Sequence, residues 1–220
     1  MAIPFKVMVL IPNLTEVRPV NAIPVVAGLL LGPAGAWGCA LGNLVADLFG
    51  TFSIASVFGF LGNFTAAYLS YKIWHMRGKG EAPNVKTTKN ITRFILIAAL
   101  SSLCVAAILS LGLDALNIVW GESLFIIVFL NDLGFSLFLG LPVFIVLTSD
   151  QINLKAIMPK SFSQGKYSQR INVVLLLMVA ISGLIVAMYI FAGVRLMQSW
   201  VMIISGIVFV VTLAAFMLRK

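Results

Sequence analysis

The sequence predicts an all-α, polytopic helical membrane protein, and three observations carry that prediction. Of the 220 residues, 61% are apolar and only 10% are charged, where soluble domains average roughly 45–50% and about 25%. Mean hydropathy is +1.08, and several apolar runs reach the ~20 residues that a helix needs to cross a bilayer. Those runs are continuously apolar rather than alternating, which excludes a β-barrel.

Residues 1–11 (MAIPFKVMVLI) are apolar but too short to span, and Pro4 and Lys6 interrupt them. They lack the basic leader, long apolar stretch and small-residue cleavage site of a signal peptide. The segment reads either as the second half of a helix whose first half is absent or as a short surface-lying piece. Residues 12–21 form a polar loop stiffened by prolines. Residues 20–31 are a short apolar piece that ends at Gly32-Pro33, a turn signal. Residues 34–50 form a helix of small and polar residues, and 51–55 a loop. Spans follow at 56–74, 91–113 and 123–148, and a closing hairpin at 173–194 and 200–218. The chain thus divides into a membrane domain over 1–148, a basic cytoplasmic linker over 149–172 and a transmembrane hairpin over 173–220.

Charge sets the orientation. In a soluble protein the net charge of +8 would point to nucleic acid, but here the basic residues cluster between apolar runs. With the loop after Trp74 in the cytoplasm, twelve of the fifteen Lys and Arg fall inside, leaving Lys6, Arg18 and Arg195 elsewhere. The loop bearing Asp114, Asn117, Trp120 and Glu122 falls outside. This pattern obeys the positive-inside rule and predicts a multi-pass cell-membrane protein with a cytoplasmic C-terminus.

No catalytic signature is present. The lone histidine, His75, sits at a span end beside Trp74, an ordinary interfacial position. There is no P-loop, paired-histidine motif or cysteine cluster, so no cofactor or metal site is encoded. Cys39 and Cys104 lie inside spans and read as small buried apolar residues. If transport consumes ATP, another subunit supplies the machinery.

What remains is a polar constellation on the external half. Glu16, Arg18 and Asn21 lie in the first loop, Asn43 and Asp47 on the small-residue helix, Asn63 on the next span, and Asn131 and Asp132 within 123–148. Asn43 and Asp47 are four apart and share a helix face. Ionisable groups at membrane depth are costly unless paired or wetted, so a pocket open to the outside suits them. The alternatives are an Arg18 ion pair with Asp47 or Glu16 that holds the loop down, and an interhelical hydrogen bond for Asn131-Asp132. Phe49, Phe52, Phe58, Phe60 and Trp120 lie near the same side and offer rings for stacking. Gly38, Gly42, Ala46 and Gly50 recur every fourth residue, a small-residue row that lets another helix approach closely.

The run from residue 15 to 74 resembles the substrate-binding S components of energy-coupling factor (ECF) vitamin transporters, in particular the QueT-like group linked to uptake of queuosine precursors. The shared features are the loop acid and arginine (Glu16, Arg18), a proline-broken short helix, the pattern G-x-x-x-G-N-x-x-x-D (Gly38, Gly42, Asn43, Asp47), and G-x-x-x-N at Gly59 and Asn63. The resemblance implies a six-helix membrane subunit that captures a vitamin-like molecule outside. It would pass the molecule inward by toppling against a transmembrane coupling subunit driven by two ATPases. It also implies that loops 13–21 and 51–56 close over the ligand. Two features depart from the family: the half-helix that carries its usual small-residue docking pair is absent, so that either the Gly38 row serves instead or the chain start is misplaced, and the hairpin after Asn172 is an addition. The rivals are a self-sufficient proton-coupled transporter, in which Asp47 or Asp132 is protonated during the cycle, and a non-transport scaffold built on the small-residue helix.

Overall fold

The computed structural model describes residues 9–11, 15–16, 19–50, 52–76, 82–118, 121–149, 152, 158 and 166–219. Among them the chain is helical apart from loops and one short ladder, and four helices are long and apolar enough to cross a membrane: Thr88–Ala115, Leu124–Leu147, Ser168–Phe191 and Trp200–Leu218. The polytopic all-α architecture expected from composition is the architecture found.

The ladder is the first departure. Val9–Ile11 (β1) pairs antiparallel with Thr15–Glu16 (β2), where a helix end or a surface-lying piece was expected. Val9 and Ile11 are β-branched and favour extended backbone.

A 3-10 turn at Pro19–Ala22 leads into α1 (Ile23–Leu31). Gly32 then adopts φ 59 and ψ −132, a backbone state that costs an L side chain dearly, and Pro33 opens α2 (Pro33–Leu48) at a position where its missing N–H is harmless. The turn folds the helices tightly together: a Cβ on Gly35 would lie 2.3 Å from the carbonyl oxygen of Ala27. The approach of α1 to α3 (Ile54–His75) is closer still, with a Cβ on Gly28 only 1.9 Å from the Ala67 carbonyl oxygen. These two glycines therefore give the backbone-to-backbone packing of the first three helices.

Ser53 caps α3, accepting from the Ala55 N–H at 3.3 Å while its own N–H donates to Ser56 Oγ at 3.2 Å. Thr87 caps α4 (Thr88–Ala115) by accepting from the Asn90 N–H at 3.2 Å. Because α4 runs past residue 113, Asp114 belongs to its last turn and not to the loop beyond.

The long apolar run after it forms α5 (Gly121–Phe135), a π turn at Ser136–Gly140, and α6 (Leu141–Leu147). The Leu141 N–H donates to the Ser136 carbonyl, five residues back. Pro142 lacks an N–H and its ring crowds the carbonyl of Phe138, so a widened turn before it relieves the clash.

The closing hairpin is α7 (Lys166–Phe191) and α8 (Trp200–Leu218). Residues 166–172, expected in the linker, are already helical; Lys, Gln and Arg are good helix formers. The hairpin packs on α4 and α5 through α7 and on α3 through α8. Lys72, which reads as a loop-flanking basic residue in the sequence, is buried near the end of α3. Its Nζ donates to the carbonyls of Phe216 at 2.6 Å, Met217 at 3.1 Å and Arg219. A cation there satisfies the orphan carbonyls of α8 and complements its dipole. His75, beside it, is also buried, with Nδ1 2.8 Å from the Tyr71 carbonyl oxygen.

Candidate functional site

Five helices and two short turns meet around a cavity of about 910 Å³, counting its open mouth. The 3-10 turn and α1 contribute Asn21, Pro24 and Val25; α2 contributes Asn43 and Asp47. The start of α3 adds Ser53, Ser56, Gly59 and Asn63. From α4 come Ser101, Val105, Leu109 and Leu113, and from α5 Leu124, Val128 and Asp132, with Ser136 of the π turn below them. Each of those last two sets repeats every fourth residue, the spacing of a single helix face.

The polar groups form two clusters. Asn21 Nδ2 donates to Asp132 Oδ1 at 2.5 Å, joining the turn before α1 to α5. Asn43 Nδ2 donates to Asp47 Oδ2 at 3.2 Å along α2. Gly59 makes room for that second pair, because a Cβ there would lie 2.8 Å from Asn43 Nδ2. Asn63, one turn further along α3, donates to the Gly59 carbonyl at 2.9 Å, leaving its side-chain oxygen to accept. Asn131 lines the cavity beside Asp132. Deeper in, Ser101 and Ser70 hydroxyls stand 3.2 Å apart, and Ser101 Oγ is 3.4 Å from the Ala66 carbonyl oxygen.

Val25, Val105, Leu109 and Val128 supply apolar lining. Carboxylates accept N–H donors, amides read both donor and acceptor edges, and the apolar wall accommodates a flat ring. The arrangement thus suits noncovalent capture of a small molecule with several N–H groups.

The structure brings together six of the eight sequence-derived positions: Asn21, Asn43, Asp47, Asn63, Asn131 and Asp132. Glu16 is described only as a backbone position in β2, and Arg18 lies outside the described residues. The aromatic expectation is corrected. None of Phe49, Phe52, Phe58 and Phe60 lines the cavity; Phe49 and Phe52 are exposed, Phe58 lies against Gly112, and Phe60 packs near Trp37. Trp120 lies outside the described residues. The lining serines Ser53, Ser56, Ser101, Ser102 and Ser136 were not anticipated. The only sequence signal for them is the four-residue spacing that links Ser101 to Val105 and Asp132 to Ser136.

The small-residue row turns outward. A Cβ on Gly38 or Gly42 would meet nothing within 4 Å, Gly50 is exposed and Ala46 is half-buried. Close packing inside the chain falls to Gly28 and Gly35 instead.

No curated protein and no solved structure matches the chain. The family model described as QueT transporter matches residues 1–149, and the chain belongs to this family of membrane transporters.

Proposed function

We propose that the chain is the substrate-binding integral membrane subunit of an ECF-type micronutrient transporter in a prokaryotic cell membrane. Its ligand is a small heteroaromatic, amine-bearing nutrient such as a queuosine precursor, taken from the external side. Asp47 and Asp132, with Glu16 of the first loop, bind positive or N–H donor groups. Asn21, Asn43, Asn63 and Asn131 read ring edges, and Arg18 latches the loop. The C-terminus faces the cytoplasm. The outward row of Gly38, Gly42, Ala46 and Gly50 is the surface for a transmembrane coupling subunit carrying two ATPases.

The observation that carries the reading is the pair of amide–carboxylate couples on one cavity, Asn21 with Asp132 and Asn43 with Asp47. Carboxylates at membrane depth are costly to maintain. A cavity bordered by two of them, with an apolar wall, matches a donor-rich planar solute better than an anion or a lipid.

The test is thermal stability of the purified full chain in detergent, screened against queuosine precursor bases and common vitamins. One compound is expected to raise the melting temperature by several degrees in wild type and not in Asp47→Asn or Asp132→Asn. No shift with any compound would sink the binding reading. Uptake in vesicles with and without an ATPase module then tests the coupling; uptake that collapses with the proton gradient and needs no module would replace it with a proton-coupled carrier.

A further inference from the structure

We propose that the α7–α8 hairpin is a brace for the cavity wall built by α4 and α5, with Asp114, Arg195 and Phe191 as its positioning residues. The inference rests on the cavity being the binding site proposed above, and it assigns a role to the segment beyond the family match.

The first support is an acid at the wrong end of a helix. Asp114 lies in the last turn of α4, where the helix dipole disfavours a carboxylate. It is 5% exposed, and both of its oxygens are taken by the hairpin. Arg195 Nε donates to Oδ1 at 3.0 Å, and the Leu196 N–H donates to Oδ2 at 2.6 Å. The second guanidinium arm reaches Asn117 Oδ1 at 3.0 Å.

Asn117 is itself the left-handed residue, at φ 54, that ends α4. The Asn117 N–H bonds the Asp114 carbonyl at 3.0 Å and the Ile118 N–H the Leu113 carbonyl at 3.1 Å, a Schellman cap. The same motif ends α7, where Gly193 has φ 72, its N–H bonds Ile190 at 2.9 Å and the Val194 N–H bonds Tyr189 at 3.0 Å. That turn delivers Arg195 to the end of α4, so two helix ends are tied by one side chain.

The same stretch also holds α5. Phe191 meets Phe125 edge to face, with centroids 5.7 Å apart. Phe125 adjoins Leu124, and Asp114 adjoins Leu113, and both leucines line the cavity. Residues 191–196 thus bridge the two helices where they border the binding volume. At the opposite end of α8, Lys72 of α3 grips the Phe216, Met217 and Arg219 carbonyls. A hairpin fastened at both ends resists sliding and tilting as a single-ended appendage would not.

The expected consequence is kinetic. A residue that contacts no ligand can still shift binding through the element it positions, and here the loosened Leu113–Leu124 wall releases ligand sooner.

The experiment uses the full chain in nanodiscs with Cys39→Ala and Cys104→Ala, spin-labelled at two exposed positions, Ala115→Cys at the end of α4 and Ile54→Cys at the start of α3. Pulsed-EPR distances are recorded without ligand for Arg195→Gln, Asp114→Asn and Phe191→Leu, with Arg195→Lys as the conservative variant. Dissociation of a queuosine precursor base is measured alongside. The brace predicts a broadened distance distribution in the first three, a smaller broadening in Arg195→Lys, which keeps the charge but loses the fork, and dissociation about fivefold faster in the first three. A lowered melting temperature with unchanged distances and dissociation would make the clasp a mere fastening and overturn the proposal. Wild type that binds no precursor base, while the distances still respond, would keep the brace and remove the binding reading instead.

Discussion

Asp132 and Asp114 stand on neighbouring helices of one wall, yet the fold treats the two carboxylates differently. Asp114 has its oxygens engaged by the Arg195 guanidinium and the Leu196 N–H and is sealed from solvent. Asp132 receives a neutral amide N–H from Asn21 and borders open cavity, as Asp47 does with Asn43. A carboxylate locked to a cation and a backbone N–H on a fixed segment is structural, because exchanging those donors means moving two helix ends. A carboxylate that borders open space beside a side-chain amide has a face that a ligand N–H could approach. On the proposed reading, one end of the wall holds the fold and the other meets the ligand.

Six substitutions break or sharpen that contrast. The largest effect belongs to Gly28→Leu, because even a Cβ there collides with the Ala67 carbonyl. Displacing α1 should cost about 3 kcal/mol and, by moving Asn21, abolish ligand stabilisation too; thermal unfolding with and without ligand reads both losses. Asp132→Asn separates them. Losing a charge-assisted hydrogen bond of about 1.5–3 kcal/mol should weaken binding roughly 10- to 100-fold, while the melting temperature of the free protein changes little; titration of the screened ligand checks it.

Asp114→Asn should do the reverse in stability. It removes the charge facing a partly exposed Arg195, lowering stability by about 1–2 kcal/mol, seen as a drop in melting temperature without ligand. A binding defect as large as that of Asp132→Asn would erase the distinction between the two acids. The smallest effect is expected from Gly38→Ala and Gly42→Ala, whose Cβ atoms would meet open space; stability should stay within about 0.5 kcal/mol. A larger Gly38→Leu should then impair uptake with ligand binding intact, and normal uptake would remove the row from the docking reading.

Much of this was legible because polar residues are few in an apolar chain. Asn43, Asp47, Asn63, Asn131 and Asp132 stand out where each must find a partner or water, and three helices, α2, α3 and α5, bring them to one cavity with Asn21. The serines did not stand out, since a small hydroxyl that back-bonds its own helix is unremarkable at membrane depth. Ser70 does so to the Ala66 carbonyl at 2.7 Å. The aromatic rings misled because nearness in depth says nothing about helix rotation: Phe58 turned into the core against Gly112 and Phe52 out to the surface.

By itself the sequence determined what depends on composition and on neighbours along the chain. Span positions follow from runs of apolar residues and the α1–α2 turn from Gly32-Pro33, while the Ser53–Ser56 cap starts α3 at Ile54, two residues ahead of the expected span. The tertiary structure decided whatever depends on which helix faces which. It turned Gly38 and Gly42 outward while Gly28 and Gly35 took the close contacts. It matched Lys72 to carbonyls nearly 150 residues later and Asp114 to Arg195. Such pairings carry no local signal, because a helix presents every side chain to some direction and only packing chooses the one that is filled.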